Sequence, residues 1–458
     1  MAQRSPIYLL QGDGTRARVL RSTLITMGSF GGSKVLRLVS NLILTRILFP
    51  EAFGMMALIA VFTGALEMFS DTGIKASIIQ NKRGNDPIFL NTAWTVQIFR
   101  GILLYIVALL LCGPAADFYE EPMLKQLLPV AAFSMVILGF TSTKESTANK
   151  KLMLGRITTI ALGCQALAIG VNVILALWLQ SVWGLVFGGL VASTVRVVLT
   201  HTALPGVRNT LAWSTEVFWE LFHFGKYLFI SSIAGFLINQ GDRAILGKFV
   251  TLSELAVYNI GWLMASIPMA FNRLFGRRIL FPLYAEAPPS ESEANRRNVI
   301  KVRFAMTACM LSISLALGLS GDWLIRILYL PDYHLAGPIL VLVALAGMPT
   351  VIVSAHGGLL LGSGDSRSFT ILLIATALIQ TLLLFFGVQS YGILGAIVAP
   401  ALAIGVVYPL SAFLAHKHKG WSPFHDGLYA SIAIVITFFV LWLNDDAVSR
   451  VLAGSVAG

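Results

Sequence analysis

Apolar runs of about twenty residues, separated by short polar breaks, recur along the chain. A helix rises about 1.5 Å per residue and the hydrocarbon core of a bilayer is about 30 Å thick, so runs of this length cross it. The pattern predicts helices near 23–46, 53–72, 92–113, 125–142, 157–179 and 182–200. A second set is predicted near 224–246, 255–275, 302–320, 336–361, 369–388 and 393–415, with a thirteenth span at 428–443. The expected organisation is an N-terminal segment 1–21, a six-helix bundle 22–200, a connector 201–223, a second six-helix bundle 224–415, and a basic loop with an extra helix over 416–458. The expected fold class is all-α integral membrane, with 12 to 13 transmembrane helices in two pseudo-symmetric six-helix bundles.

The halves echo one another. Displaced by about 203 positions, Glu51 falls on Glu254, Gly73 on Gly276 and Lys75 on Arg278, a pattern expected of internal duplication in transporters. Pro268, Pro349, Pro400 and Pro409 lie inside predicted spans and predict kinks. Gly28 with Gly32, Gly184 with Gly188 and Gly358 with Gly362 predict close helix approach. Ser290 followed three residues later by Glu293, after Pro288 and Pro289, predicts a surface helix ahead of the ninth span.

Composition settles the class. Hydrophobic residues make up 56% of the chain and charged residues 12%, so a soluble fold would expose far too much apolar surface. The formal net charge of +11 is not gathered into a basic domain with interleaved aromatics, which excludes a nucleic-acid partner. It falls instead on alternate connections: Lys82, Arg83, Lys150, Lys151, Arg277, Arg278, Arg296, Arg297, Lys417 and Lys419 on one side, with Asp117, Glu120, Glu121, Asp332 and Asp445 on the other. By the positive-inside rule this is a multi-pass protein with a cytoplasmic N-terminus. Lys34 and Arg37 interrupt the first run where a signal peptide needs an unbroken core, so that run reads as a retained helix. Cys112, Cys164 and Cys309 have neither disulfide nor metal spacing, and no metal or other cofactor is expected.

Charges inside the spans are the candidate chemistry. Lys34, Arg37 and Asn41 are spaced i, i+3 and i+7 and share one helical face. Lys34 lies roughly 17 Å into the first span at about 1.5 Å per residue, where an unpaired ammonium costs about 3 kcal/mol. Two readings of this face stand side by side: a cationic wall that meets an anionic substrate group, or a structural one in which the charges pair with Glu67 or Asp71 or snorkel to the interface. Glu67 and Asp71, one turn apart in the second span, are candidates for ion coupling or for internal pairing, and Arg100 in the third span is a candidate for the cavity wall or for a partner of Glu67. Asn239, Asp242 and Arg243 in the seventh span are candidates for a gate or an internal ion pair. His356, a lone histidine in sequence, reads as a satisfied packing residue in preference to a proton carrier, and His416 and His418 as part of a solvated basic loop. There is no GxxxxGK[ST] loop, HExxH or nucleophile elbow, and no loop long enough for a catalytic domain, so the chain reads as a transporter and not an enzyme.

The block ILTRILFPEAFGMMALIAVFTGALEMFSDTGIKASIIQ, followed by NTAWTVQIFRGILLYIVALLL, and later GDRAILGKFVTLSELAVYNIGWLMASIPMAF with FPLYAE, resembles bacterial oligosaccharide flippases. These belong to the superfamily that also holds multidrug and toxin extruders and the peptidoglycan lipid flippase. The resemblance runs from about Ser22 to about Leu414. It implies two bundles in a V around a central cavity and alternating access driven by an H+ or Na+ gradient. The implied cargo is an undecaprenyl-diphosphate-linked oligosaccharide repeat unit, moved across the bacterial cytoplasmic (inner) membrane for exopolysaccharide, capsule or O-antigen synthesis. The implied partners are the lipid bilayer, the polyprenyl-diphosphate-linked glycan and a polysaccharide polymerase or export machinery. On this reading Lys34 and Arg37, with Arg100, line the cavity. The alternatives are a drug or cation antiporter, which prefers an acidic cavity, or another lipid-linked-precursor flippase of the same superfamily. The extra C-terminal span departs from the simplest twelve-helix pattern.

Overall fold

The computed structural model describes residues 15–69 and 73–456; Asp71, one of the two carboxylates expected in the second span, lies outside them. Among the described residues the regular structure is entirely helical. By contacts the chain divides into two compact units, Met1–Phe49 with Ile59–Ser232, and Pro50–Leu58 with Ile233–Gly458.

The first unit is built from α1 (Thr15–Leu44), most of α2 (Pro50–Phe69), the short α3 (Ile74–Gln80), α4 (Pro87–Tyr119), α5 (Leu124–Gly139), the short α6 (Lys144–Lys150), α7 (Leu154–Leu179), α8 (Val182–Thr202) and the start of α9 (Thr215–Phe249). Local chemistry sets these boundaries. Asp86 accepts a hydrogen bond from the Ile88 backbone N–H and Pro87 occupies the first turn, which starts α4, and Glu120 in the left-handed region ends it. Between α5 and α6 the path bends by 61°. Gln97 on α4 reaches across that bend, its amide 2.9 Å from the Gly139 carbonyl and 3.1 Å from that of Thr141, serving backbone groups that the break leaves without helical partners.

The second unit holds the rest of α9, then α10 (Leu252–Ala265), α11 (Ile267–Phe275), a π-helical turn (Gly276–Leu280), α12 (Phe281–Glu286), α13 (Glu293–Leu328), a 3-10 turn (Pro331–Tyr333), α14 (Ala336–Ala346), α15 (Met348–Gly362), α16 (Ser366–Lys417), α17 (Pro423–Leu443) and α18 (Asp445–Val456). Although continuous by hydrogen bonding, α16 is two helices turned back on each other at Gly392, whose φ of 52° and ψ of −129° suit only glycine. A β-carbon at Gly395 would overlap the Gly387 backbone, so this glycine pair lets the halves meet beside the turn.

Among the described residues seven helices are long and apolar enough to cross a bilayer, or nine if each of two bent pairs forms one span. The halves of α16 are two segments within one of these, and α1, α9 and α10 with α11 supply the helices at the other predicted segments. All thirteen predicted segments therefore fall on helices, and the fold is all-α and membrane-embedded.

One local expectation is corrected. The helix expected to start at Ser290 is not separate from the ninth span: Ser292, not Ser290, caps by accepting from the Asn295 N–H, and α13 runs from Glu293 to Leu328 without a break. Pro268 and Pro349 stand in the first turns of α11 and α15, just after the breaks at Ser266 and Gly347. The two halves of the span that holds Pro349 meet at 42°, so the bend expected there is present.

Candidate functional site

Within the first unit, α2 to α6 and α8 surround a polar cavity of about 450 Å3. Its size falls in the range of small-ligand sites. Glu67 of α2 and Arg100 of α4 line it together, and the Arg100 guanidinium donates to the Glu67 backbone carbonyl at 3.3 Å. Gly101 stands beside Arg100 because α4 and α5 touch there: a β-carbon would come 2.6 Å from the Met135 carbonyl oxygen. Lys75 of α3 reaches Glu145 of α6 at 2.7 Å, and Arg196 of α8 reaches the same carboxylate at 3.3 and 3.4 Å. Three cations, Lys75, Arg100 and Arg196, thus face two carboxylates, Glu67 and Glu145. Among the described lining residues the formal charges sum to +1, in a cavity walled mostly by membrane helices. Such a site can hold and orient an anion; among the described residues no cluster of potential metal ligands occurs.

The predicted residues divide. Glu67 and Arg100 line the cavity, while Lys34, Arg37 and Asn41 are not part of its wall. On α1, Lys34 is half-buried and Arg37 exposed, while Asn41 has a buried side-chain oxygen without a hydrogen-bond partner. Next to Lys34, Ser33 fastens α1 to Gln165 of α7 through two hydrogen bonds of 2.7 and 2.9 Å. Lys75, Glu145 and Arg196 are the cavity residues that sequence reasoning missed.

In the second unit Asp242 and Arg243 are buried as an ion pair of 3.7 Å. Tyr258 donates to Asp242 at 2.7 Å, Arg243 donates to Asn259 at 2.6 Å and to Gln240 at 2.8 Å, and the guanidinium lies 3.9 Å from the centroid of the Trp262 ring. Asn239 donates to the Gly235 carbonyl of its own helix. This arrangement ties α9 to α10.

His356 is fully buried and has polar partners at both ring nitrogens. Its ring on α15 lies 3.3 Å from Asp426 of α17 and 3.3 Å from Arg303 of α13, all three almost wholly buried. Arg303 also bridges to Asp426 at 3.0 Å, and His425 sits 2.8 Å from the same carboxylate. These partners join only when α13, α15 and α17 pack together. The one sequence sign was a histidine-aspartate pair in the first turn of an otherwise apolar helix.

A family model described as polysaccharide biosynthesis protein matches residues 43–336. The chain is similar to the lipopolysaccharide biosynthesis protein WzxC of Escherichia coli (strain K12), with 24% identity over 332 residues, 71% of this chain and 66% of that protein. The match thus spans about two thirds of that relative's length. Among solved structures, the lipid II flippase MurJ in an inward closed conformation superposes with a TM-score of 0.69 at 12% identity, over 92% of this chain and 93% of that one. An inward-facing multidrug resistance MATE family transporter gives 0.63 at 14% identity, over 84% and 95%. These two likenesses establish a MATE-like fold, and the family match covers well over half of the sequence. The chain belongs to the polysaccharide biosynthesis protein family.

Proposed function

We propose that this chain is a flippase that carries a polyprenyl-diphosphate-linked oligosaccharide from the cytoplasmic to the outer leaflet of a bacterial cytoplasmic membrane, by ion-coupled alternating access, for synthesis of a surface polysaccharide. The cation-rich cavity of the first unit carries the reading. A diphosphate cannot enter hydrocarbon unassisted, because its charges lose their hydration without compensation. A carrier therefore needs a wet, positive recess for the head group while the prenyl chain stays in lipid. Arg100 and Arg196 are suited to this by their planar donor forks, which match phosphate oxygens in pairs. Lys34 and Arg37 on α1 are assigned to the approach of the same head group, and the charge asymmetry of the loops puts the N-terminus in the cytoplasm. The names of the relatives, a lipopolysaccharide biosynthesis protein and a lipid II flippase, agree with this cargo class. A cationic drug is the wrong sign for the recess.

The test is complementation in a strain lacking its own copy, with polysaccharide export and inner-leaflet lipid-linked units both measured. The Arg100→Ala, Arg196→Ala double variant is expected in the membrane at normal abundance, with export reduced at least tenfold and lipid-linked units accumulating. Normal export from that variant, or resistance to cationic drugs as the sole phenotype, rejects the assignment.

A further inference from the structure

We propose that His356, held between Arg303 and Asp426, is a proton-binding site of the second unit. The hydrogen bonds around it can be completed in two ways without moving a side chain. Ser411 donates to the Tyr408 carbonyl at 2.9 Å, so its only hydrogen is used and its oxygen is left to accept from His356 Nδ1 at 3.2 Å. This places a proton on Nδ1. In the neutral ring Nε2 then has a lone pair, and the Arg303 guanidinium 3.3 Å away supplies a donor for it. In the charged ring Nε2 carries a second proton and donates to Asp426 Oδ2, also at 3.3 Å. Taking up a proton thus exchanges a bond from Arg303 for a bond to Asp426, and the formal charge of the cluster rises by one.

The neighbouring groups keep both states available. His425 donates from Nδ1 to Asp426 Oδ1 at 2.8 Å, and its Nε2 lies 3.1 Å from the Thr307 hydroxyl. Tyr408 donates to Asp426 Oδ2 at 3.1 Å. Arg303 donates to the Gly420 carbonyl at 2.8 Å. From α12 the Tyr284 hydroxyl reaches the Ala355 carbonyl next to His356 at 3.4 Å. The ionisable groups that face His356 are therefore Tyr284, Arg303, Tyr408, His425 and Asp426. Two of them, Asp426 and Tyr408, also form part of the wall of a largely apolar cavity of about 590 Å3. Because Asp426 lies in the first turn of α17, proton occupancy changes the charge balance at the contact that fastens that helix to α13 and α15. On the ion-coupled reading given above this proton is the coupling ion; the site itself stands without that reading.

The experiment is nitrogen NMR of the full chain in lipid nanodiscs with all seven histidines labelled with nitrogen-15, the His356 signals being assigned as those missing from His356→Gln. Between pH 8 and pH 5 the wild-type His356 ring is expected to change from one protonated and one bare nitrogen to two protonated nitrogens. In Asp426→Asn the doubly protonated form at pH 5 is expected to fall about tenfold. In Ser411→Ala, which keeps the ion pair, the neutral ring is expected to move its proton from Nδ1 to Nε2. A ring that stays neutral throughout, or one whose titration and tautomer are the same in both variants, overturns the proposal. No cargo takes part, so this failure is distinct from a failure of the flippase assignment.

Discussion

The cavity of the first unit and the cluster of the second are made from the same parts, a carboxylate between two nitrogen bases, yet they differ in exposure. Glu145 is 10% exposed, but its partners Lys75 and Arg196 are 55% and 46% exposed. Asp426 is 3% exposed, and Arg303 and His356 are 2% and 0%. A cation that reaches water gains little from any one partner, about 0–1 kcal/mol for an exposed pair, so it can turn from a protein carboxylate to a substrate anion at small cost. A sealed cation cannot, because the carboxylate left behind would be buried and uncompensated. Only something as small as a proton can join such a cluster. Exposure, more than residue type, separates a recess that can exchange partners from a joint that cannot.

The sharpest way to break this contrast is to remove one partner from each. Asp426→Ala leaves a buried guanidinium and is expected to cost about 3–5 kcal/mol, read as a large fall in the unfolding midpoint of the purified chain in detergent. Replacing both members, as in Arg303→Met with Asp426→Leu, is expected to recover most of that loss, since apolar residues of similar volume need no partner. A double variant no better than the single one would mean that the ion pair is not what Asp426 contributes.

Glu145→Gln is the matched change in the first unit. Its partners can turn to water, so the expected loss is smaller, about 1–2 kcal/mol. The variant also adds one positive charge to the cavity, and uptake of inorganic diphosphate should strengthen and become more salt-sensitive. A stability loss as large as that of Asp426→Ala would erase the distinction between open and sealed sites.

Legibility in the sequence follows the same division. Membrane helices were legible because run length alone decides them, and the break before Ile393 was legible because the apolar pattern lapses around Gly392. Arg100 and Glu67 stood out as charges inside apolar runs. Lys75 and Glu145 did not, since each lies in a short helix at the end of a span, where a charge looks like ordinary loop. Their meeting depends on the 61° bend after α5, which no local pattern announces. The His356 cluster joins residues 53 to 123 positions apart, a pairing set by packing. The face of Lys34, Arg37 and Asn41 was legible as a helical stripe, but periodicity does not say which cavity a stripe serves.

The smallest expected effect tests the comparison from outside both sites. Asp365 caps α16, accepting from the Ser368 N–H at 3.0 Å and its hydroxyl at 2.8 Å, and it meets His418 at 3.0 Å and Lys417 at 3.4 Å where the second half of α16 returns. The Ser368 backbone N–H, then His418, hold its carboxyl well below the usual carboxylate range. A carboxyl depressed in the folded state contributes its full stability above the unfolded value, about 4, and loses it as the pH falls further. Because the pair reaches water the contribution is about 1 kcal/mol or less. Asp365→Asn should therefore unfold slightly below wild type at pH 7, with the two midpoints converging as the pH is lowered past about 4. A gap that persists in acid would show that Asp365 acts through its shape and not its charge, and that an exposed ion pair in this fold carries even less than the cavity cations require.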